Sequence, residues 1–218
     1  NMTNKILELI KKNHTLTPKS VGDFKTFKAK GMKFQCSAFD AEGLGHVSLM
    51  RAKGFFGLMK MDTLVVAPID KDLPLLSYDR IYAMGNDTLI IELYDTMGDK
   101  KVSLSSIANV KSRFAHLPER FAEGEEPKHW YDSIRLPETT SKKGKKCSES
   151  FDEYTLAYIS EYLRIDADSC DRNEKIARTD VYANGLVTNG GPATDVFKQQ
   201  FGEEKTSNII RGVLFGTK

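Results

Sequence analysis

The apolar positions of residues 61–97 fall into three short runs, each closed by turn residues. Met61–Ala67 stops at Pro68, Leu75–Met84 stops at Gly85-Asn86-Asp87, and Thr88–Tyr94 stops near Gly98. Runs of that length, rich in Val, Ile, Leu and Tyr and bounded by Gly, Pro, Asn and Asp, predict neighbouring strands of an antiparallel meander. Upstream, Phe34, Cys36 and Ala38 alternate loosely within 24–40, as in a first strand. Gly43 and Gly45 turn the chain into a second strand, His46–Lys53, and Gly54 and Gly57 loosen the passage to the strand from Met61. A sheet of about six strands is expected. Ahead of it, Ile6, Leu9 and Ile10 share one face of a short helix over 3–12, with Thr3 or Asn4 as its cap.

Beyond residue 97 the period changes. Residues 101–110 fit either a strand or a short helix. Residues 116–147 carry Pro118, Pro127 and Pro137 among many charges and end in a lysine cluster, so they read as a loop-rich middle. Phe151, Tyr154, Tyr158 and Tyr162 recur at helical spacing over Ser150–Arg164. Arg172–Val187 follows, with Ile176, Val181 and Leu186 directed toward the core. Asn189-Gly-Gly-Pro192 breaks the pattern, and Pro192 suits the first turn of the next helix. Thr194–Phe201 and Glu204–Leu214 are the last helices. Strands first and helices afterwards predict one α+β domain over 1–218, a three-layer α/β/α sandwich around a central antiparallel sheet.

Composition narrows the function classes. The 218 residues carry a net charge of only +2, which argues against wholesale nucleic-acid binding. No run of about eighteen apolar residues is present, and no signal-peptide core is expected at the N-terminus, because two lysines, Asn13 and His14 follow its short apolar helix. Cys36, Cys147 and Cys170 form neither a CxxC pair nor a disulfide framework. The expectation is a protein of the reducing cytoplasm with no nucleic-acid or membrane partner. No histidine pair has metal-ligand spacing, and no metal is expected. Phosphate-loop, GxGxxG and GxSxG patterns are lacking, so nicotinamide-dependent and serine-hydrolase readings have no support.

Asp79 is the strongest candidate for chemistry. It lies in an apolar strand between Tyr78 and Ile81. A carboxylate there either pairs with Arg80 or Arg51, bonds the following turn, or takes up a proton that it can donate to a ligand. His46, early in a neighbouring strand, is either a proton relay or a hydrogen-bonded strand-edge residue. Period two puts Glu92 and Tyr94 on one face, and Leu93 and Asp95 on the other. The Asn189–Thr194 turn is either an anion-binding helix start or plain punctuation. The Lys142–Lys146 cluster is either a docking patch or a solvated loop. Trp130 and Tyr131 read as loop anchors.

One order of features carries a family resemblance: apolar strand, Pro68, acidic loop, Asp72-Leu-Pro74, apolar strand ending in Asp79, Gly85-Asn86 turn, apolar strand. It resembles the ferredoxin-dependent bilin reductases. Val196–Phe201, Gly202-Glu203 and the closing Arg211-Gly-Val-Leu-Phe215 are similar to that family's two terminal helices. Together the segments span roughly residues 30–217. The resemblance implies reduction of a linear tetrapyrrole such as biliverdin, without a bound metal or flavin, by electrons from a ferredoxin or flavodoxin. It places Asp79 on the substrate-facing acid, with His46 or Glu92 assisting. Some members carry a His where Val65 stands, and many carry an Asp where Gly191 stands. The propionates of such a ligand call for cations, for which Arg51, Arg80, Arg113 and Lys198 are candidates. A haem- or bilin-binding protein that keeps the fold without the redox chemistry is the alternative.

Overall fold

The computed structural model describes residues 1–218. The alternating segments pair into an eight-stranded antiparallel sheet. Its strands are β1 (Leu16–Lys19), β2 (Thr26–Ala29), β3 (Met32–Ala41), β4 (Gly45–Gly54), β5 (Met59–Pro68), β6 (Leu75–Ala83), β7 (Asn86–Tyr94) and β8 (Thr140–Gly144). The order across the sheet is β1-β3-β4-β5-β6-β7-β8, and β2 shares the β3 edge with β1. The helices are α1 (Met2–Lys11), α2 (Ser105–Arg113), α3 (Ser148–Arg164), α4 (Arg172–Asn189), α5 (Pro192–Phe201) and α6 (Glu203–Ser207). The chain continues from α6 as a π-helical segment, Asn208–Leu214.

The middle strands are apolar on both faces, and each face carries its own core. Val47, Leu64, Leu76, Tyr78, Leu89 and Ile91 pack with Ile6 and Ile10 of α1, Ile107 of α2, and Phe151, Tyr158 and Tyr162 of α3. Phe34, Cys36, Met50, Val65, Ala67, Leu75 and Tyr94 pack with Tyr182 of α4, Phe197 of α5 and Ile209, Ile210 and Leu214. Burying apolar side chains on both sides of one sheet is what produces the three layers. The expected sandwich is present, with more strands than the expected six.

The differences have local causes. β8 was hidden in the loop-rich middle because its sequence is Thr-Ser-Lys-Lys-Gly; it pairs with Asp87–Ile91 and buries Thr140 and Lys142. Residues 105–113 resolve as helix. Asn1, rather than Thr3 or Asn4, caps α1, its side chain accepting from the Thr3 amide at 2.8 Å. Val181 is exposed, because α4 turns Lys175, Thr179, Tyr182, Ala183 and Val187 inward instead.

The β6–β7 turn is Met84-Gly85, with φ of 52° and 77°, so Asn86 and Asp87 belong to β7. Two-residue hairpins with both φ positive favour Asn-Gly. A long side chain in the left-handed region costs about 1–2 kcal/mol. Met84→Asn is therefore expected to raise unfolding free energy by about 1 kcal/mol, measured by urea denaturation. A value unchanged or lowered would contradict this account of the turn.

Candidate active site

Strand pairing sets Thr63, Asp79 and Ile90 side by side on β5, β6 and β7. Glu92 lies one step along the same face, opposite Ser77. This is the face of Val65, Leu75 and Tyr94, which look toward α4–α6. The helical layer covers it unevenly: α5 packs on β2, and the π-helical segment packs on β3 and β4. On β5–β7 the cover is partial: Val65, Leu75 and Tyr94 are buried, while Met61, Asp79, Ile81, Ile90 and Glu92 are only half-buried. These side chains floor a groove.

Aromatic side chains close one end of it. The rings of Tyr94 and Tyr182 stack at 4.0 Å between centroids, and their hydroxyls lie 3.1 Å apart. Tyr131 meets Tyr94 edge-on at 5.6 Å. The Trp130 ring covers Gly185 of α4 at a point where a Cβ would collide, and its indole N–H donates to the Gly190 carbonyl at 3.3 Å. Trp130 thus anchors the loop, and Tyr131 faces the tyrosine pair. The neighbouring Arg135 donates to Glu92 at 3.3 Å, to Glu126 at 2.9 Å and to Asp132 at 3.2 Å. These contacts hold Glu92 in place as an acceptor.

Asp79 has the environment its sequence position suggests. Desolvation raises its carboxyl to about 6; the Thr63 hydrogen bond and the Arg120 charge oppose the rise, and the Glu92 charge adds to it. The Thr63 hydroxyl donates to Asp79 Oδ1 at 2.5 Å. With Oδ1 engaged, Oδ2 is the oxygen available to carry a proton. A carboxyl titrating about 6 exchanges protons readily near neutral pH, as a general acid requires.

Several expected site residues lie elsewhere. His46 faces the same side as Asp79, but two strands and four residues away, about 16 Å by strand geometry. Its Nε2 donates to the Val213 carbonyl at 2.8 Å, and Nδ1 accepts from Lys19 at 3.1 Å. Burial and the Lys19 charge push it down to about 4, so it is neutral and fixes the C-terminal segment to β4. Ser48 reinforces that junction by donating to the Leu214 carbonyl at 2.6 Å.

Arg51 and Arg80 project from the opposite face, among the α1 and α3 residues, because each is out of phase with Asp79 on the pleat. Arg51 donates to Thr3 at 2.6 Å and to Asn4 at 3.0 Å. Arg80 is buried and held by Asp87 and Asp152. Neither can reach a ligand over Asp79. Lys198 is spent on the Val187 carbonyl at 2.8 Å. Val65 is fully buried one step from Thr63, and Gly191 is the residue that caps the start of α5. Lys142, part of the expected basic patch, is buried and donates to the Leu117 carbonyl and to Glu119.

Thr63, Arg120, Tyr131, Arg135 and Tyr182 are the groove residues that pattern reading missed. Thr63 had a signal: it is the hydroxyl within the run Met61–Ala67, in phase with Val65. The arginines come from irregular loops, and no periodicity points to them. No group of three or more His, Cys, Asp or Glu side chains is placed to hold a metal ion. Two cavities are lined mainly by residues other than those of the groove. One of about 220 Å³ sits beside Lys111, Glu119 and Lys142; the other, about 330 Å³, sits beside Asp72, Lys101 and Asp168.

No protein-family model matches the chain, and no curated protein does. Among solved structures, phytochromobilin synthase from tomato in complex with biliverdin has the same fold, with a TM-score of 0.72 over 100% of this chain and 83% of that one. The two sequences are 14% identical. The likeness establishes a shared α/β/α architecture around an antiparallel sheet.

Proposed function

We propose that this protein is an oxidoreductase of the bilin reductase type, reducing a linear tetrapyrrole or related pigment with electrons from ferredoxin or flavodoxin. One observation carries the reading: Asp79, its carboxyl raised to about 6 by desolvation, is half-buried on the sheet face toward α4 and belongs to neither apolar core. The fold is shared with a protein whose structure contains biliverdin, and the sequence resemblance places Asp79 on that family's substrate-facing acid.

In this scheme the ligand lies over β5–β7. Met61, Ile81 and Ile90 supply apolar contact, and Tyr131 and Tyr182 bound one end. Arg120, exposed on the groove side, replaces Arg51 and Arg80 as a partner for a propionate, while Arg135 stays committed to Glu92, Glu126 and Asp132. Reducing one double bond takes two electrons and two protons. The electrons come singly from the external donor. Asp79 gives the first proton, is reprotonated from solvent and gives the second; the charge of Glu92 beside it favours the protonated form. The protein contributes position and protons, which is where a site without its own redox group gains rate.

The absence of a histidine at Val65 and of an acid at Gly191 favours a second reading, a tetrapyrrole carrier with no turnover. An anaerobic absorbance titration with biliverdin, bilirubin and haem, followed by photoreduced ferredoxin, separates the two. Saturable binding followed by spectral conversion is the expected result. Binding without conversion would establish the carrier. No spectral change with any tetrapyrrole would refute both.

A further inference from the structure

Three hairpin ends lie at the same end of the sheet, because each strand pair is antiparallel: Lys30-Gly31 between β2 and β3, Phe55–Leu58 between β4 and β5, and Met84-Gly85 between β6 and β7. Phe55 is 62% exposed, Phe56 fully, Leu58 72% and Met84 90%. Such large apolar groups at a surface mark a contact site when they cluster. Phe55, Phe56 and Met84 also hold positive φ of 52°, 55° and 52°, a region that long side chains avoid. Gly or Asn would make these turns with less strain, so turn formation does not explain the residues chosen.

Charge surrounds them. Lys28, Lys33, Lys53 and Lys60 stand directly opposite one another on β2, β3, β4 and β5. All four are exposed. Like charges directly opposed across strands destabilise a sheet. One acid, Asp62, lies one step inward on the same face; it is paired with Arg51 at 3.9 Å and also feels Lys53, which leaves the row of four lysines in excess. Lys30, Lys145 and Lys146 are exposed at the same end.

We propose that this end of the sheet docks on an anionic lipid surface, the apolar tips entering the headgroup layer and the lysine row meeting the lipid phosphates. Lysine is depleted from the cores of protein interfaces, whereas lysines set just behind protruding apolar groups are the pattern of interfacial membrane binding. Their aliphatic stems extend along apolar surface while the ammonium stays in water. No helix is long and apolar enough to cross a membrane, and this contact needs none. It is independent of the reaction proposed above.

The test is co-sedimentation of the full chain with vesicles of phosphatidylcholine, with and without phosphatidylserine, in low and high salt. Binding only to the phosphatidylserine vesicles, weakened by salt, is expected. Lys33→Glu/Lys53→Glu should weaken it about fivefold or more per lysine. Phe55→Ser/Phe56→Ser should weaken it by more than about tenfold. Circular dichroism of both variants should match the parent, since the changed residues are exposed. Absence of binding in low salt would overturn the proposal, as would binding indifferent to the Phe55/Phe56 change. If sedimentation velocity finds a dimer that this change dissociates, and no lipid binding, the tips serve self-association instead.

Discussion

Asp79→Asn is expected to abolish spectral conversion of a bound tetrapyrrole while leaving its binding affinity within about twofold. The amide fits the same space and can accept from Thr63, but it has no acidic proton to give. Loss of a positioned general acid removes about 10²–10⁴ in rate. In the parent protein, conversion should fall as pH rises through about 6, where Asp79 loses its proton. The same substitution should stabilise the fold at high pH. The folded carboxyl titrates above its ordinary value of 3.8, so folding favours the protonated form. Its contribution is favourable in acid and is lost as pH rises through about 6; at pH 8 the protein carries a partly desolvated charge. Asn removes that charge, for a gain of about 1–2 kcal/mol after allowance for solvent screening. The gain should shrink below pH 6 and vanish toward pH 4. Denaturant melts across pH, paired with single-turnover absorbance, check both. Conversion unaffected by the substitution would remove Asp79 from the mechanism, and lower stability at pH 8 would remove desolvation as the cause of its shift.

The layout of the molecule could be read largely from β5–β7, where apolar runs and turn residues agree. Asp79 was legible for the same reason: a carboxyl in a strand apolar on both faces stands out. The anchors were not legible, because the face of a residue depends on strand register. Arg80 adjoins Asp79 in sequence and therefore points away from it. Arg51 fails by the same rule, since Met50, not Arg51, lines up with Thr63 and Asp79. His46 has the right face but the wrong height along the strand, and only the pairing frame fixes height. Arg120 and Arg135 reach the groove from a connection without periodicity. β8 was obscured by its lysines, one of which is buried because a carbonyl and Glu119 satisfy it.

Arg80 explains why an arginine belongs in that apolar strand at all. Its guanidinium forks onto Asp87, Nε to Oδ1 at 2.5 Å and Nη2 to Oδ2 at 2.8 Å, and Nη1 reaches Asp152 of α3 at 2.8 Å. Nη2 also donates to the Ser148 carbonyl at 3.2 Å, and the Ser148 hydroxyl donates to Asp87 at 2.9 Å. Phe151 and Tyr82 lie against its planar face at 5.6 and 5.4 Å. The cluster pins the start of α3 to the sheet. Arg80→Met should destabilise the protein by about 3–5 kcal/mol, because Asp87 is left charged and buried without a partner. Arg80→Lys should recover only part of this, since a point charge cannot make the fork. Arg80→Met/Asp87→Leu should lose less than Arg80→Met alone, with a coupling of about 1–3 kcal/mol in the double-mutant cycle. Urea unfolding measures all of these. A single-variant loss below about 1 kcal/mol would mean the cluster is not the tie described. The same proteins test the placement of the ligand: any Arg80 variant that folds should bind tetrapyrrole as the parent does, because its side chain lies across the sheet from Asp79. Normal folding with lost binding would put the ligand on the α1–α3 face and move the active site with it.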